Sequence, residues 1–373
     1  MKSVVKFLAI FALAICLPLA ATAQAQNTTR IGYGGALLGD LASYGLSNLY
    51  GLEFAVAQTN AKGGLLGKPI EIVQEDDSCI PDNAAKAALK LASENLTLIL
   101  GHTCSGATRS ALSAYNNKVI MISSSATEIS LTDDGASPYF FRTTPRDDEQ
   151  PRLQLDYIKK KGFKKVAILH DKGDYGSALA ISLQENIKAQ APEIEIVLFE
   201  GVTTGEVSYE DVVSMLRNSQ AEVMVWGGYH SDASKLVMQM REKGLETVII
   251  GPDGLYDRQF ITMAGAAAEG AIATGQADIS GTEAAKAAIA DHHTRHQEEP
   301  GTYFFYAAGA AQALFAAVEK VGNTTDLEAI KKHLQEDTVE TVMGPVRFDA
   351  KGDVIGAKFI LYEVKDGQFV PVS

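Results

Sequence analysis

The stretch Gly101-His102-Thr103-Cys104-Ser105-Gly106-Ala107-Thr108 follows an apolar run at residues 96–100 and precedes a helical pattern at residues 109–116. An apolar strand, a Gly/Ser/Thr loop and a helix in this order are typical of α/β proteins, which present free backbone N–H groups at the carboxyl end of a strand. The hydroxyl side chains of the loop add donors that can orient an anion. The stretch predicts the carboxylate-binding half of a small-molecule site. An ordinary strand-to-helix turn with a Ser or Thr N-cap is the alternative that the stretch alone leaves open.

The first 25 residues have the pattern of a secretory signal peptide. Two lysines precede an apolar core at residues 7–19, and small residues follow it. This core is shorter than the roughly 20 apolar residues that a membrane span needs. Cleavage after Ala23 or Ala25 would remove Cys16, so we expect an exported and soluble mature protein.

Two cysteines, Cys79 and Cys104, remain after the signal peptide is removed. An even pair in an oxidising compartment is most simply a disulfide. Both follow strand-like runs, so both can lie at the same end of one parallel sheet. Such a bridge would constrain the unfolded chain by about 3 kcal/mol and would hold the Ser105 loop still. Two thiols alone are too few ligands for a metal site.

The chain is strongly acidic, with a formal net charge of −13 that becomes −15 when the two lysines of the signal are removed. This charge argues against nucleic acid and against anionic membranes as partners. It does not exclude a small zwitterion in a local pocket. About 350 mature residues favour two domains over one.

Strand-like and helical patterns alternate along the chain. Strand patterns at residues 30–33 and 70–73 are followed by helical patterns at residues 47–59 and 83–94, and the rhythm restarts at residues 166–169. Repeated βα units predict parallel doubly wound sheets, and two runs of similar size predict two similar lobes. We therefore expect an α/β fold of two Rossmann-like doubly wound lobes.

The last part of the chain has a different pattern. Helical patterns cover residues 302–321 and 327–334, and strand-like runs at residues 344–348 and 357–362 flank a Gly352-Asp353 turn. A chain that ends by returning to the second lobe joins the lobes through several hinge strands. This arrangement permits closure around a ligand.

Several short motifs together resemble one family. They are Asn60-Ala61-Lys62-Gly63-Gly64, Gly101-His102-Thr103-Cys104-Ser105, Met121-Ile122-Ser123-Ser124-Ser125-Ala126-Thr127, His170-Asp171-Lys172, Tyr175-Gly176, Trp226-Gly227-Gly228-Tyr229, Gly251-Pro252-Asp253-Gly254 and Phe348-Asp349-Ala350-Lys351-Gly352-Asp353. In this order they resemble the periplasmic amino-acid-binding proteins of branched-chain amino-acid ABC transporters, of the leucine/isoleucine/valine type. The resemblance covers essentially the whole mature chain and includes both cysteines.

The resemblance implies a type I periplasmic binding protein with a signal peptide at residues 1–25. Its N-terminal lobe would comprise residues 26–143 and 276–352, and its C-terminal lobe residues 144–275 and 353–373. It implies a monomer in the periplasm that carries a free amino acid to an inner-membrane ABC permease. It implies no enzymatic activity, no cofactor and no metal, and it matches the single disulfide of the family.

The resemblance also assigns ligand-binding residues to both lobes. The residues implied are Ser105, Ser125, Ala126 and Thr127 in the first lobe, Tyr175, Tyr229 and Asp253 in the second, and Tyr44 in the side-chain pocket. Ser105 and Thr127 would meet the α-carboxylate, and the Ser125 carbonyl and the Thr127 hydroxyl would meet the ammonium. Asp253 departs from the usual Glu and Ser124 from a frequent Pro, so the preferred amino acid stays open.

Physical chemistry supports these roles. A bound zwitterion surrenders the hydration of two charges, at several kcal/mol per ion. Each hydrogen bond to a charged group returns about 1.5–3 kcal/mol, so each head group needs two or three partners. Asp253 would meet the ammonium only when the lobes shut, and closure would then be driven by contacts that exist in one state. One methylene is worth only about 1–3 kcal/mol, so leucine, isoleucine and valine are hard to separate.

Other interpretations are less well supported by the residues. A dinucleotide loop at residues 32–37 fails because Leu37 occupies the third glycine position. Residues 292–296 contain three histidines, but neighbouring acidic residues favour a solvated helix end over a metal site. Two further functions stay open: a receptor for another amino acid or an amide derivative, and an exported hydrolase that uses a cleft serine.

Overall fold

The computed structural model describes residues 28–133, 135 and 137–372. The predicted signal peptide, with Cys16 and both cleavage positions, lies outside these residues.

Strands and helices alternate along most of the chain. The first part consists of β1 Thr29–Gly35, α1 Ala42–Ala61, β2 Ile70–Asp76, α2 Pro81–Ser93, β3 Leu98–Gly101, α3 Ser105–Tyr115, β4 Ile120–Ser123, α4 Ser130–Asp133 and β5 Phe140–Arg142. The second part consists of α5 Glu149–Lys161, β6 Lys165–His170, α6 Asp174–Gln190, β7 Glu195–Gly201, α7 Glu210–Ser219, β8 Val223–Gly227, α8 His230–Glu242, β9 Val248–Gly251, α9 Arg258–Ala264, a 3-10 turn Gly265–Ala268 and β10 Ile272–Gln276. The last part consists of α10 Glu283–His296, α11 Phe304–Val321, α12 Leu327–Glu336, β11 Val339–Thr341, β12 Gly344–Val346, β13 Phe359–Lys365 and β14 Gln368–Pro371.

Two sheets carry the fold, and they share one strand order. The first sheet is β2-β1-β3-β4-β5, with every neighbouring pair parallel. In the second sheet the parallel strands β7-β6-β8-β9-β10 repeat this order, and the antiparallel strands β13 and β14 extend one edge. The order reverses between β1 and β3 and between β6 and β8, the positions where open α/β sheets bind ligands outside the carboxyl ends of their strands. The predicted doubly wound α/β class is confirmed.

Helices cover both faces of each sheet, which explains why the central strands β3, β4, β8 and β9 are almost uninterrupted apolar runs. On one face of the first sheet, Ile31 and Ile120 belong to a buried cluster with Leu314 of α11. On the other face, Ile99 packs in a cluster with Leu91 of α2. Because α11 follows the parallel strands of the second sheet in sequence, the first core is complete only when a distant part of the chain returns to it.

The chain passes between the two sheets after β5, after β10 and after β12, and these crossing segments lie side by side. The Arg142 backbone N–H donates to the Gly352 carbonyl at 2.9 Å, and the Arg142 guanidinium pairs with Asp353 at 2.5 Å. Gln276 Nε2 donates to Thr144 Oγ1 at 3.2 Å. Adjacent crossings of this kind form a hinge on which two packed bodies can close.

Two element predictions are corrected by the structure. The predicted helix at residues 47–59 begins earlier, at Ala42. Its first turn passes close to the backbone of Ala36, and only a glycine fits at position 45, because a Cβ there would lie 1.8 Å from the Ala36 carbonyl oxygen. The residues around Gly45 in the sequence do not indicate this contact. In the tail, the predicted strand at residues 344–348 is confirmed as β12, which pairs with β11 outside both large sheets, whereas the strand predicted at residues 357–362 begins later, at Phe359.

Candidate functional site

A small closed cavity lies between the two sheets, at the carboxyl ends of their strands. Residues from both sides line it: Tyr44, Thr103, Cys104, Ser105 and Ser125 on the side of the first sheet, Tyr175, Tyr229 and Asp253 on the side of the second, and Tyr303 just before α11. Its position matches the strand-order reversals, which is where the topology places ligand sites.

The N-terminus of α3 forms one end of the cavity. Ser105 is the first residue of this helix, and Cys104 is an extended N-cap whose side chain makes no capping hydrogen bond. The first N–H groups of a helix have no partner within it, and the helix dipole places positive potential there. The Ser105 hydroxyl accepts a bond from the Glu128 backbone N–H at 3.3 Å. This end of the cavity suits a carboxylate.

Two interactions hold the loop before α3 in place. Cys79 and Cys104 form a disulfide with a Cα–Cα distance of 5.4 Å, as the sequence predicted. The neighbouring His102 is fully buried, and its Nδ1 lies 2.6 Å from the Asp77 carboxylate while its Nε2 lies 3.2 Å from the Tyr115 hydroxyl. The loops after β2 and β3 are therefore joined both covalently and through a buried polar pair.

Of the three predicted ligand residues in the loop after β4, one lines the cavity and two lie behind its wall. Ser125 lines the cavity, where its hydroxyl donates to the Thr103 carbonyl at 2.8 Å and accepts from Asn48 at 2.9 Å. Ala126 and Thr127 are fully buried next to the cavity and do not line it. The Ala126 carbonyl accepts from Arg142 at 3.2 Å. Their roles as ligand contacts stay predictions.

Asp253 forms the opposite end of the cavity and accepts four hydrogen bonds. Its Oδ1 accepts from the Tyr175 hydroxyl and from Gln150 Nε2 at 2.8 Å. Its Oδ2 accepts from the Tyr303 hydroxyl at 3.0 Å and from Gln276 Nε2 at 3.3 Å. Burial raises the pKa of Asp253, and these donors act in the opposite direction. All four donors are neutral, so the carboxylate has no countercharge among its hydrogen-bond partners.

Four buried tyrosines form the wall between the two ends. The rings of Tyr175 and Tyr229 stack with centroids 5.0 Å apart, and Tyr44 contacts Tyr303 at 5.7 Å and Tyr229 at 6.0 Å. The Tyr44 hydroxyl also reaches across the cavity and donates to the Gly254 carbonyl at 2.5 Å. Burial raises the pKa of every one of these hydroxyls, which keeps them neutral. An apolar wall with neutral polar tips suits an uncharged side chain.

The structure brings together six of the eight predicted site residues: Tyr44, Ser105, Ser125, Tyr175, Tyr229 and Asp253. Sequence reasoning did not assign Cys104 or Tyr303 to the cavity wall, and it noted Thr103 only as a loop hydroxyl. Tyr303 carries no sequence signal, because it reaches the cavity through the return of α11 to the first sheet.

Within residues 28–133, 135 and 137–372, no helix combines the length and the apolar character needed to cross a membrane. The same part of the chain holds no group of three or more His, Cys, Asp or Glu side chains arranged to bind a metal, and this includes the helix end at His292 and His296.

The comparison with protein families agrees with the two-sheet fold and the cavity between the sheets. Residues 28–368 match the family described as "Periplasmic binding protein". The chain belongs to this family, and the resemblance inferred from its motifs is confirmed.

Within this family, the chain is similar to proteins that are named for branched-chain amino acids. The Leu/Ile/Val-binding protein of Citrobacter freundii is 33% identical over 357 residues, which cover 95% of each chain. The branched-chain amino-acid transporter substrate-binding protein LivJ of Streptococcus pneumoniae, solved with isoleucine, has a TM-score of 0.82 and 27% identity over 92% of this chain and 97% of its own. A solute-binding protein of R. palustris, solved with benzoate, also has a TM-score of 0.82 but 21% identity, covering 92% of this chain and 95% of its own, so it shares the fold alone. The fold is that of a type I periplasmic binding protein.

Proposed function

We propose that this protein captures a free amino acid in the cavity between its two sheets and delivers it to an ABC permease of the inner membrane. Leucine, isoleucine and valine are the leading ligands, because the relatives that match nearly the whole chain are named for them. The observation that carries the proposal is the opposite character of the two ends of the cavity. Helix N–H groups and a serine form one end, and a buried carboxylate without a countercharge forms the other.

The proposed contacts follow from this polarity. The α-carboxylate is bound by the α3 N-terminus and the Ser105 hydroxyl, with Thr127 behind them. The ammonium faces Asp253 and the Ser125 carbonyl, and the aliphatic side chain lies among Tyr44, Tyr175 and Tyr229. Each head group then has several partners, which is what the loss of hydration at two charges requires.

Closure is the proposed mechanism of capture. The N-terminal lobe comprises residues 26–143 and 276–352, and the C-terminal lobe comprises residues 144–275 and 353–373. A ligand held by the first lobe gains the Asp253 contact only when the lobes meet, so the ligand stabilises the closed state over the open one. The adjacent crossing segments at Arg142, Gln276 and Asp353 would act as the hinge.

The setting of this function is the periplasm. The predicted signal peptide, the disulfide between Cys79 and Cys104, and membership of a periplasmic family support export. We propose a monomer that acts without a cofactor, a metal or nucleic acid, and whose protein partner is the permease.

Binding without catalysis is favoured by the surroundings of the two cavity serines. The Ser125 hydroxyl bonds the Thr103 carbonyl and Asn48, and the Ser105 hydroxyl bonds the Glu128 N–H, so neither serine is paired with a histidine base. His170 bonds Ser177 on α6 instead. The two cavity serines therefore lack the base partner that a hydrolase using a cleft serine would need, and Ser177, which has a histidine partner, does not line the cavity.

A receptor for another amino acid or an amide derivative is the second candidate. It is favoured by Asp253, whose side chain is one methylene shorter than the Glu usual in the branched-chain binders. A shorter acid moves the ammonium partner back and changes the space at that end.

A panel of the twenty amino acids, scored by thermal shift and then by isothermal titration, tests the proposal. A ligand that binds the native state raises the melting temperature, and the rise grows with the logarithm of the ligand concentration relative to its Kd. We expect one-to-one binding of leucine, isoleucine or valine with no turnover. Selective stabilisation by a different amino acid or by an amide would establish the second candidate, and product formation from amides or esters would establish a hydrolase.

A further inference from the structure

A second carboxylate, Asp147, lies next to Asp253 and is not part of the cavity wall. It belongs to the first crossing segment, between β5 and α5, and its side chain is 1% exposed. Its backbone N–H donates to the Thr127 carbonyl at 3.1 Å. No feature of the sequence singled it out.

Gln150 joins the two acids. Its Nε2 donates to Asp147 Oδ1 at 2.7 Å and to Asp253 Oδ1 at 2.8 Å. Its Oε1 accepts from the Asp253 backbone N–H at 2.8 Å and from the Thr274 hydroxyl. One buried amide group therefore holds both carboxylates at the same nitrogen, so their charges act on each other at short range.

Three buried polar atoms in this network have no hydrogen-bond partner: Asp147 Oδ2, Thr127 Oγ1 and Gln276 Oε1. Thr127 lies beside the Asp147 carboxylate, and Gln276 donates its amide nitrogen to Asp253. Unpartnered buried groups of this kind are costly. The Thr127 hydroxyl acts as a donor that lowers the pKa of Asp147, whereas burial and the Asp253 charge act in the opposite direction. A proton on Asp147 Oδ2 would remove one of the two negative charges that this buried network carries.

The groups that face the pair do not neutralise it. Tyr175, Tyr229 and Tyr303 are neutral, and Arg142 lowers the pKa of Asp147 but is itself paired with Asp353.

Further charges stand around the tyrosine wall. Asp171 and Asp257 add negative potential at Tyr229 and Tyr44, and burial lowers the pKa of His230, which keeps it neutral near pH 7. Burial and the Asp253 charge raise the pKa of Asp147, in the direction expected when two like charges share a buried site.

We propose that Asp147 and Asp253 form one acidic pair, which holds a proton in the ligand-free protein and releases it to solvent when the ligand's ammonium binds. Asp253 contacts the ammonium, and Asp147 is a positioning residue that acts through Asp253. The balance is simple, because the ligand enters with its three ammonium protons and only an O–H bond of the pair is broken. This inference rests on the proposed function.

Proton release makes ligand affinity depend on pH. The ligand-bound protein holds fewer protons than the ligand-free protein, so a higher pH favours binding. Leucine keeps the same charges between pH 5 and 8, so any pH dependence in this range comes from the protein. We expect the Kd of leucine to fall by up to about tenfold per pH unit wherever the pair is protonated in the free protein.

Isothermal titration of L-leucine in phosphate and in Tris at several pH values between 5 and 8 measures the protons released per ligand. The native protein should release a fraction of a proton up to one. Asp147→Asn should bind leucine with no release and with a flatter pH profile. Asp171→Asn is the matched control, because Asp171 is a partly buried carboxyl with a pKa raised to about 6 that lies outside the pair, and this variant should keep the release.

Two results of the same titration would overturn the proposal that Asp147 and Asp253 share a proton. Leucine binding by the native protein without proton release would do so, and so would an unchanged release in Asp147→Asn. Loss of the release in Asp171→Asn alone would assign the proton to Asp171.

A ligand-free measurement keeps the two proposals separable. If no branched-chain amino acid binds, the proposed function fails, and thermal unfolding still tests the pair. A raised pKa in the folded state destabilises the protein increasingly as the pH rises. Asp147→Asn should therefore raise the melting temperature more at pH 8 than at pH 5. An equal shift at both pH values would overturn the pair.

Discussion

The two sheets have the same strand order, yet they carry opposite chemistry at equivalent positions. The loop after β3 contributes Ser105 and helix N–H groups, whereas the loop after its counterpart β8 contributes Tyr229. The loop after β4 contributes Ser125, whereas the loop after its counterpart β9 contributes Asp253. The same strand order thus presents hydrogen-bond donors on the first sheet and a carboxylate on the second, which makes the space between the sheets complementary to a zwitterion.

The two sides also differ in how they are held. A disulfide and the buried pair of His102 and Asp77 fix the loop before α3. On the other side, Asp253 is held by hydrogen bonds to Gln150 of α5, Tyr175 of α6, Gln276 of β10 and Tyr303 beside α11. The first side is preorganised, while the second gains its bond to Tyr303 only where the two sides meet.

Asp253→Asn should have the largest effect on binding. The variant keeps the shape of the side chain but removes the charge that faces the ammonium, at a cost of about 2–5 kcal/mol in the binding free energy of leucine. Isothermal titration measures it.

Asp232→Asn is the control, because Asp232 is a buried acid of the same lobe that bonds Tyr209 and Gly205 and does not line the cavity. Equal affinities of Asp253→Asn and the native protein would refute the opposite roles of the two sides.

Reduction of the disulfide should come next. Without the Cys79–Cys104 bond, the unfolded chain gains freedom worth about 3 kcal/mol for a loop of 25 residues. Urea unfolding with and without reductant measures this loss. The double variant Cys79→Ser with Cys104→Ser should no longer respond to reductant, and an unaltered stability of the reduced native protein would contradict the preorganised first side.

Ser105→Ala should have a smaller effect. The backbone N–H groups of α3 remain, and one hydrogen bond to a charged group contributes about 1.5–3 kcal/mol, so we expect the Kd of leucine to rise by about tenfold or more. Ser113→Ala is the matched control, because Ser113 is an exposed serine of the same helix. A change as large as that of Asp253→Asn would mean that the hydroxyl, and not the helix N-terminus, binds the carboxylate.

Asp174→Asn should have the smallest effect. Asp174 at the start of α6 pairs with Arg109 of α3 at 3.1 Å, so this partly exposed ion pair joins the two sides across the closed cavity. Exposed pairs contribute about 1 kcal/mol or less and are screened by salt. We expect a rise in Kd of less than about threefold that disappears at 1 M NaCl. Glu283→Gln, which breaks an exposed pair on α10, should leave the affinity unchanged.

Sequence reasoning reached a large part of the site. The resemblance to a family assigned Ser105, Ser125, Tyr175, Tyr229 and Asp253 to a ligand site before the cavity was known. All five lie in segments that follow strands, and such segments of doubly wound sheets meet at the carboxyl ends of the strands. The start of α1 was missed because Gly45 is selected by a contact with Ala36, which no local pattern reports.

The amino-acid sequence by itself determined the alternation of strands and helices, the pairing of the two cysteines and the class of protein. These features depend on local periodicity, on composition and on motifs that are contiguous in the chain. Only the tertiary structure decided that Tyr303 closes the cavity and that Asp147 and Asp253 share the amide of Gln150. Those contacts join segments that are far apart in sequence, and they arise from the packing of the crossing segments and of α11, which no window of the sequence contains.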